Sequence, residues 1–132
     1  MQRVFLDANV LFSAAYREQA GLLRLWRLAG VELMTSDYAA QEAEANLTDP
    51  AQRNKLMKIL KTMTIIPHPR RMLSLPAGVH LPEKDAPIMQ AALAGGAAIL
   101  LTGDVTHFGR YFWKNVGGVR ILPPGDFLRE RA

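Results

Sequence analysis

Short apolar segments of strand length alternate along the chain with segments in which apolar residues recur at helical spacing. The apolar segments occupy residues 3–6, 31–35, 64–66, 97–101 and 119–122, and we predict that each is a β-strand. Helices are predicted for residues 9–16, 21–29, 85–94 and 107–114. Another helix is predicted to begin at a cap on Ser36 or Asp37 and to end at Leu47, and a further one begins at Asp49. A last helical turn is predicted around Phe127 and Leu128. Most of the strands are apolar throughout, which is typical of a parallel sheet covered on both faces. The pattern therefore predicts an α/β fold with a mostly parallel sheet of about five strands and right-handed crossovers.

The size and composition of the chain favour one domain. Its 132 residues are 49% hydrophobic, and we expect residues 1–132 to form a single core. The segment from 67 to 82 holds four prolines and is predicted to be a loop. The absence of cysteine excludes disulfides, zinc–thiolate sites and a catalytic thiol, and it favours the cytoplasm. No apolar run approaches the roughly 18 residues of a membrane span, and Asp7 and Asn9 interrupt the first run, so neither a membrane partner nor a signal peptide is expected.

Two carboxylates follow predicted strands, and two more lie in predicted helices. Asp7 comes directly after the first strand, and Asp104 follows the fourth. Open α/β sheets bind ligands at the carboxyl ends of their strands, where clustered acids repel one another unless a cation joins them. Asp85 at a helix start and Glu42 within a helix complete the set. Glu44 competes with Glu42, but the apolar neighbours Ala39, Ala43 and Leu47 favour Glu42. Carboxylates from separate elements suit Mg²⁺ or Mn²⁺.

Each of these acids also has an ordinary structural explanation. Asp7 and Asp85 are good helix N-caps, Asp104 suits a turn, and Glu42 suits a solvated helix face. The joint pattern, with an Asp after two strands that both look buried, favours the metal site.

The ordered motifs resemble those of PIN domains. The segments that carry this resemblance are FLDANVL at residues 5–11, Ser36 followed by Glu42 and Leu47, DAPIMQAAL at residues 85–93, LTGD at residues 101–104, and ILP at residues 121–123 with Phe127 and Leu128. No single motif is specific, but the ordered set with matching spacing covers nearly the whole chain.

The resemblance implies a three-layer α/β/α sandwich and a metal-dependent ribonuclease that hydrolyses single-stranded or structured RNA. The best-known members are VapC-type toxins of toxin–antitoxin pairs, so a small antitoxin protein is an implied partner. By the resemblance, Asp7, Glu42, Asp85 and Asp104 form the catalytic, metal-binding pocket. Asn9 supports Asp7 by hydrogen bonding, and Thr102 orients a ligand or a water molecule.

The chain departs from the resemblance just after the fourth motif. The family often has a further acid there, whereas this chain has Thr106 and His107. The departure favours one firmly bound metal over two. The bound ion would lower the pKa of a coordinated water molecule and screen the phosphodiester. His68 and His80 lie in the proline-rich loop, and His107 is near the site. All three are expected to be surface or loop histidines rather than catalysts, and His107 is the one to test.

The charge of the chain suits a polyanionic partner. The formal net charge is +4, and setting the four acids aside leaves eight negative against 16 positive charges. Predicted RNA contacts are Arg70, Arg71, Arg110 and Lys114, with Tyr111 or Trp113 for stacking unless these rings pack in the core. Trp26 and its leucine neighbours suit the core, a homodimer surface and an antitoxin surface equally well.

Two other function classes compete with the nuclease. Phosphoryl transfer on an aspartate, as in receiver or haloacid-dehalogenase-like domains, also places acids at strand ends. The dehalogenase-like pattern wants an acid where Asn9 stands, and the acids and lysine of a receiver are not found at fitting positions. The second alternative is a catalytically weak PIN-like scaffold that binds RNA or protein, against which the retention of all four acids argues.

Overall fold

The computed structural model describes residues 1–17, 21–67 and 74–131. Its strands are β1 (Gln2–Leu6), β2 (Val31–Ser36), β3 (Thr64–Ile66), β4 (Ile99–Leu101), β5 (Asn115–Val116) and β6 (Val119–Leu122). Its helices are α1 (Ala8–Tyr16), α2 (Asp37–Asn46), α3 (Pro50–Leu60), α4 (Ala86–Ala94), α5 (Val105–Phe108) and α6 (Pro124–Glu130). Two 3₁₀-helices cover Gly21–Arg27 and Gly109–Tyr111.

The strands form one sheet in the order β3-β2-β1-β4-β6-β5. All pairs are parallel except β5 with β6. The prediction of an α/β fold with a central, mostly parallel sheet is confirmed. The chain builds outward from β1 to β3 and then returns to the other side of β1 with β4. The strand order thus reverses between β1 and β4.

The central strands are buried because helices flank the sheet. Val4, Phe5 and Leu6 of β1 are fully buried, as are Leu100 and Leu101 of β4. Apolar residues of α1, α2 and α4 join the same core. Strands buried on both faces need apolar residues at every position, which explains their continuous apolar runs. Within the described ranges, no helix is both long enough and apolar enough to cross a bilayer.

Two predicted helices were wrong in type or extent, and two features went beyond what the sequence predicted. The helix predicted for residues 21–29 is a 3₁₀-helix over Gly21–Arg27. The helix predicted for residues 107–114 is the short helix α5 followed by a 3₁₀ turn. That helix stops early because Trp113 has a φ of 68° and its N–H bonds to the carbonyl of Ile121 at 2.7 Å. The sheet has six strands because β5 escaped prediction. The last turn extends into the helix α6.

The missed strand depends on a two-glycine turn. Gly117 and Gly118 have φ values of 59° and 95° and join β5 to β6 as a tight hairpin. Two consecutive positive φ values are the requirement of the type I′ turn, which glycine meets without strain.

Candidate active site

A cleft of about 620 Å³ opens at the carboxyl ends of β1 and β4, where the strand order reverses. Ligands of open α/β sheets bind at such reversal points. The acids that line the cleft are Asp7, Glu42, Asp85 and Asp104. Its other polar lining residues are Asn9, Ser13, Asn46 and Lys84, and Phe12 and Leu22 contribute apolar surface. The structure thus brings together all four acids that the sequence singled out.

Asp7 caps α1 and also faces the cleft. Its Oδ1 accepts a hydrogen bond of 2.6 Å from the N–H of Ala8. Its Oδ2 accepts one of 2.7 Å from the Thr102 hydroxyl and one of 3.1 Å from Nδ2 of Asn9. The residue is only 5% exposed, and this burial raises its pKa to about 6 against the opposing effect of the Thr102 and Ala8 bonds. Capping therefore engages one oxygen only, while the carboxylate remains under strong desolvation.

Asn9 and Thr102 hold the ends of β1 and β4 together. Nδ2 of Asn9 also donates to Oγ1 of Thr102 at 3.2 Å, and its Oδ1 accepts from the N–H of Gly103 at 2.8 Å. Oγ1 of Thr102 in turn accepts from the N–H of Asp104 at 3.1 Å. This network fixes the position of Asp7 relative to Asp104.

Asp104 caps the next helix in a similar way. Its Oδ1 accepts a 3.1 Å hydrogen bond from the N–H of His107, and its Oδ2 lies 2.9 Å from Nδ1 of the same residue. The sequence alternative for Asp104 was a turn residue, whereas its structural role is that of the N-cap of α5. Its second oxygen is directed to the imidazole.

Asp85 stands at the N-cap position of α4, but its side chain makes no capping bond. Oδ2 of Asp85 lies 2.8 Å from Nδ1 of His107. The pKa of Asp85 is raised, mainly by burial. The charge of nearby His107 lowers this pKa, and the charge of Asp104 raises it. Helix capping does not explain the choice of Asp at this position.

Glu42 lines the cleft from the middle of α2, and Glu44 does not. Burial raises the pKa of Glu42, and the charge of Asp85 raises it further. Glu44 instead forms an ion pair of 2.8 Å with Arg53. Two residues along a helix amount to roughly 200° of rotation, so only one of the two glutamates can face the acids.

Lys84 is a lining residue that the sequence analysis missed. Its charge lowers the pKa of both Glu42 and Asp85. The Tyr38 hydroxyl donates a 2.7 Å hydrogen bond to the carbonyl of Lys84, which ties this loop to α2. The signal was its position directly before Asp85, since neighbours of a site residue often reach the same cleft.

The predicted substrate contacts mostly lie elsewhere. Arg70, Arg71 and His68 fall outside the described residues. Arg110 and Lys114 are exposed and do not line the cleft, so their contact with RNA stays a prediction.

The two aromatic candidates and Trp26 have different surroundings. Tyr111 is buried, and its hydroxyl accepts from the N–H of His80 at 2.8 Å, which is a packing role. Trp113 is half exposed, and the Arg120 guanidinium lies 5.7 Å from its ring centroid. Trp26 packs partly buried against the core, beside fully buried Leu25.

The donor set fits a single divalent cation. One ligand atom each from Asp85, Asp104 and His107 lies within 4.8 Å of the other two. Asp7 and Glu42 face the same cleft. Carboxylate oxygens with one imidazole nitrogen are a normal set for a transition-metal dication, and carboxylates alone suit Mg²⁺.

Comparison with known proteins agrees with the fold and the motifs. The model of the PIN-domain family matches residues 3–106. Among solved structures, a chain of VapBC2 from Rickettsia felis, determined bound to a DNA fragment from their promoter, is similar with a TM-score of 0.68. The two share 14% identity over 92% of this chain and 98% of that one. No curated protein matches this sequence. The matched model covers most of the chain, including all four acids and the first two residues of α5. The chain therefore belongs to the PIN-domain family.

Proposed function

We propose that this protein is a Mg²⁺- or Mn²⁺-dependent endoribonuclease that hydrolyses phosphodiester bonds of single-stranded or structured RNA. The observation that carries the proposal is the convergence of four acids from separate elements on one cleft. Burial raises the pKa of Asp7, and the nearby charges of Glu42 and Asp85 raise it further, so a bound cation would stabilise the charged carboxylate there. Family membership supports nuclease chemistry at the same cleft.

The residues of the cleft have separable roles in this proposal. Asp7, Glu42, Asp85 and Asp104 hold the cation, which supplies an activated water molecule and neutralises phosphate charge when bound. Asn9 and Thr102 orient the buried carboxylate of Asp7 through the bonds described above.

Among the residues that the structure describes, Lys84 is the cation best placed to contact a substrate phosphate, because it lines the cleft beside Asp85. A fixed positive charge beside the reacting phosphate stabilises the negative charge that develops during cleavage.

We further propose that the protein acts in the cytoplasm as the toxin of a toxin–antitoxin pair. The similar solved structure is a VapBC2 complex, which supports a small antitoxin partner and a homodimer. The apolar side chains of Phe12 and Leu22 at the cleft are a surface that an antitoxin segment would cover. A neighbouring reading frame for a small DNA-binding protein is the simplest check of this part.

The test of the nuclease proposal is RNA cleavage with and without EDTA, followed by addition of Mg²⁺ or Mn²⁺. We expect cleavage to stop on chelation and to return with either metal. Asp85→Asn should abolish it with the fold intact. Asp49→Asn is the matched control, because Asp49 caps α3 through the N–H of Ala51 outside the cleft. Cleavage that persists in EDTA, or that survives Asp85→Asn, would reject the proposal in favour of a scaffold or a metal-free activity.

A further inference from the structure

His107 lies between two of the acids in a way that hydrogen bonding does not fully explain. Its Nδ1 is 2.9 Å from Oδ2 of Asp104 and 2.8 Å from Oδ2 of Asp85. One nitrogen carries at most one hydrogen, which can lie on the line to only one of these oxygens. Oδ2 of Asp85 is buried and accepts no hydrogen bond of acceptable geometry from the residues that the structure describes. The Asp85 side chain is 12% exposed at the cleft, but its Oδ2 is itself buried.

A buried carboxylate oxygen without a hydrogen bond is costly, and a cation would remove that cost. Ligand atoms on adjacent positions around an ion, each about 2.1 Å away, are separated by about 3 Å. The two nitrogen–oxygen distances at His107 have this size. When the imidazole hydrogen is on Nε2, Nδ1 has a free lone pair, and it lies within 4.8 Å of a ligand oxygen of each carboxylate.

We propose that His107 is a direct nitrogen ligand of the bound cation, and that it makes this site prefer Mn²⁺ over Mg²⁺. The inference rests on the proposed function only in placing the cation at this cleft. Mg²⁺ takes oxygen ligands almost exclusively, whereas imidazole suits transition-metal dications. Replacement of an acid by histidine at the start of α5 therefore changes which metal the site selects.

The test uses Mn²⁺ as a paramagnetic probe of the metal-free protein, without RNA. Electron-spin-echo spectroscopy detects a nitrogen nucleus bound to Mn²⁺, and labelling histidine with ¹⁵N assigns the signal to imidazole. We expect the histidine signal in the wild type, and its loss in His107→Ala and His107→Asp. His80→Ala is the matched control, because His80 is exposed and its bonds with Tyr111 use only backbone atoms.

Affinities give a second readout. The ratio of the Mg²⁺ to the Mn²⁺ dissociation constant should fall at least about tenfold in His107→Asp, which restores an all-oxygen set. Absence of the histidine signal in the Mn²⁺-loaded wild type would overturn the proposal, whatever the variants do. An unchanged affinity ratio, or a histidine signal that persists in His107→Ala, would also overturn it.

These outcomes separate the inference from the nuclease proposal. A histidine signal with no RNA cleavage would leave His107 as a metal ligand and reject the nuclease. Metal-dependent cleavage with no histidine signal would support the nuclease and reject His107 as a metal ligand.

Discussion

The Thr102 hydroxyl donates a 2.7 Å hydrogen bond to Oδ2 of Asp7 and thereby joins the end of β4 to the end of β1. Both residues are nearly or fully buried. The bond favours the charged carboxylate, because it lowers the pKa of Asp7 against the larger effect of burial. The stability of the metal-free protein should therefore depend on this contact in a way that changes with pH.

We expect Thr102→Val to destabilise the metal-free protein more at pH 8 than at pH 4. At pH 8 the variant leaves a buried carboxylate short of a donor, which costs about 1–3 kcal/mol. At pH 4 the folded state binds a proton at Asp7, and the loss is smaller. Urea unfolding in EDTA at both pH values measures the difference.

Thr35→Val is the matched control for this prediction. Thr35 is also fully buried, and its hydroxyl donates a 2.7 Å hydrogen bond to the uncharged carbonyl of Leu6. The stability lost in Thr35→Val should therefore be the same at pH 4 and pH 8. Equal pH dependence in the two valine variants would contradict the role given to Thr102.

Asp7 itself should make the metal-free protein less stable as the pH rises. Its pKa is about 6 in the folded protein and near 3.8 in the unfolded chain, so the folded state binds more protons between these values. The stabilisation by this proton is fully present below pH 3.8 and is lost as the pH rises through 6. The difference between the two pKa values corresponds to a loss of stability on the order of 3 kcal/mol.

Asp7→Asn should lack this loss, because asparagine does not titrate. Its free energy of unfolding in EDTA, relative to the wild type, should rise between pH 4 and pH 8. A constant difference over that range would show that Asp7 is not the group that titrates.

Most of the architecture followed from local patterns, while some contacts did not. The strands could be predicted because buried strands are continuously apolar over a short segment. The acids Asp7 and Asp104 could be predicted because each follows such a segment along the sequence. Apolar neighbours along α2 favoured Glu42 over Glu44, but the ion pair that holds Glu44 against Arg53 joins α2 to α3 and has no local signature.

The failures have a similar cause. The segment after α5 is rich in aromatic residues and looked helical, but its backbone joins the edge of β6 instead, through the bond from Trp113 to Ile121. Lys84 and the contact of His107 with Asp85 depend on how the loop before α4 approaches α5. Such approaches are set by tertiary packing, which overrides local preference.

Glu42→Gln and Glu44→Gln form a matched pair on one helix. We expect the first to reduce metal-dependent RNA cleavage at least about 100-fold, because it removes a charge from the cleft. The second should leave cleavage unchanged and cost at most about 1 kcal/mol of stability, because its ion pair is exposed. Steady-state cleavage rates and urea unfolding measure both effects. The assignment of Glu42 fails if Glu44→Gln is the variant that loses activity.

Lys84→Gln should weaken RNA binding and make it less dependent on salt. Loss of one phosphate contact lowers the slope of log affinity against log salt by about 0.7 for a single strand. Fluorescence anisotropy between low and moderate salt, in Ca²⁺ or EDTA to prevent cleavage, measures the slope. Lys58→Gln is the control, because Lys58 is exposed on α3 away from the cleft. Identical slopes for the two variants would exclude Lys84 as a phosphate contact.

The most direct test of the metal-dependent site is the rate at which Asp104→Asn cleaves single-stranded RNA in Mn²⁺. Asparagine keeps an Oδ1 acceptor for the N–H of His107, so α5 remains capped and the fold should be retained. We predict that cleavage falls at least about 100-fold, while the free energy of unfolding in EDTA equals or exceeds that of the wild type. A folded Asp104→Asn protein that cleaves RNA as fast as the wild type would contradict the account.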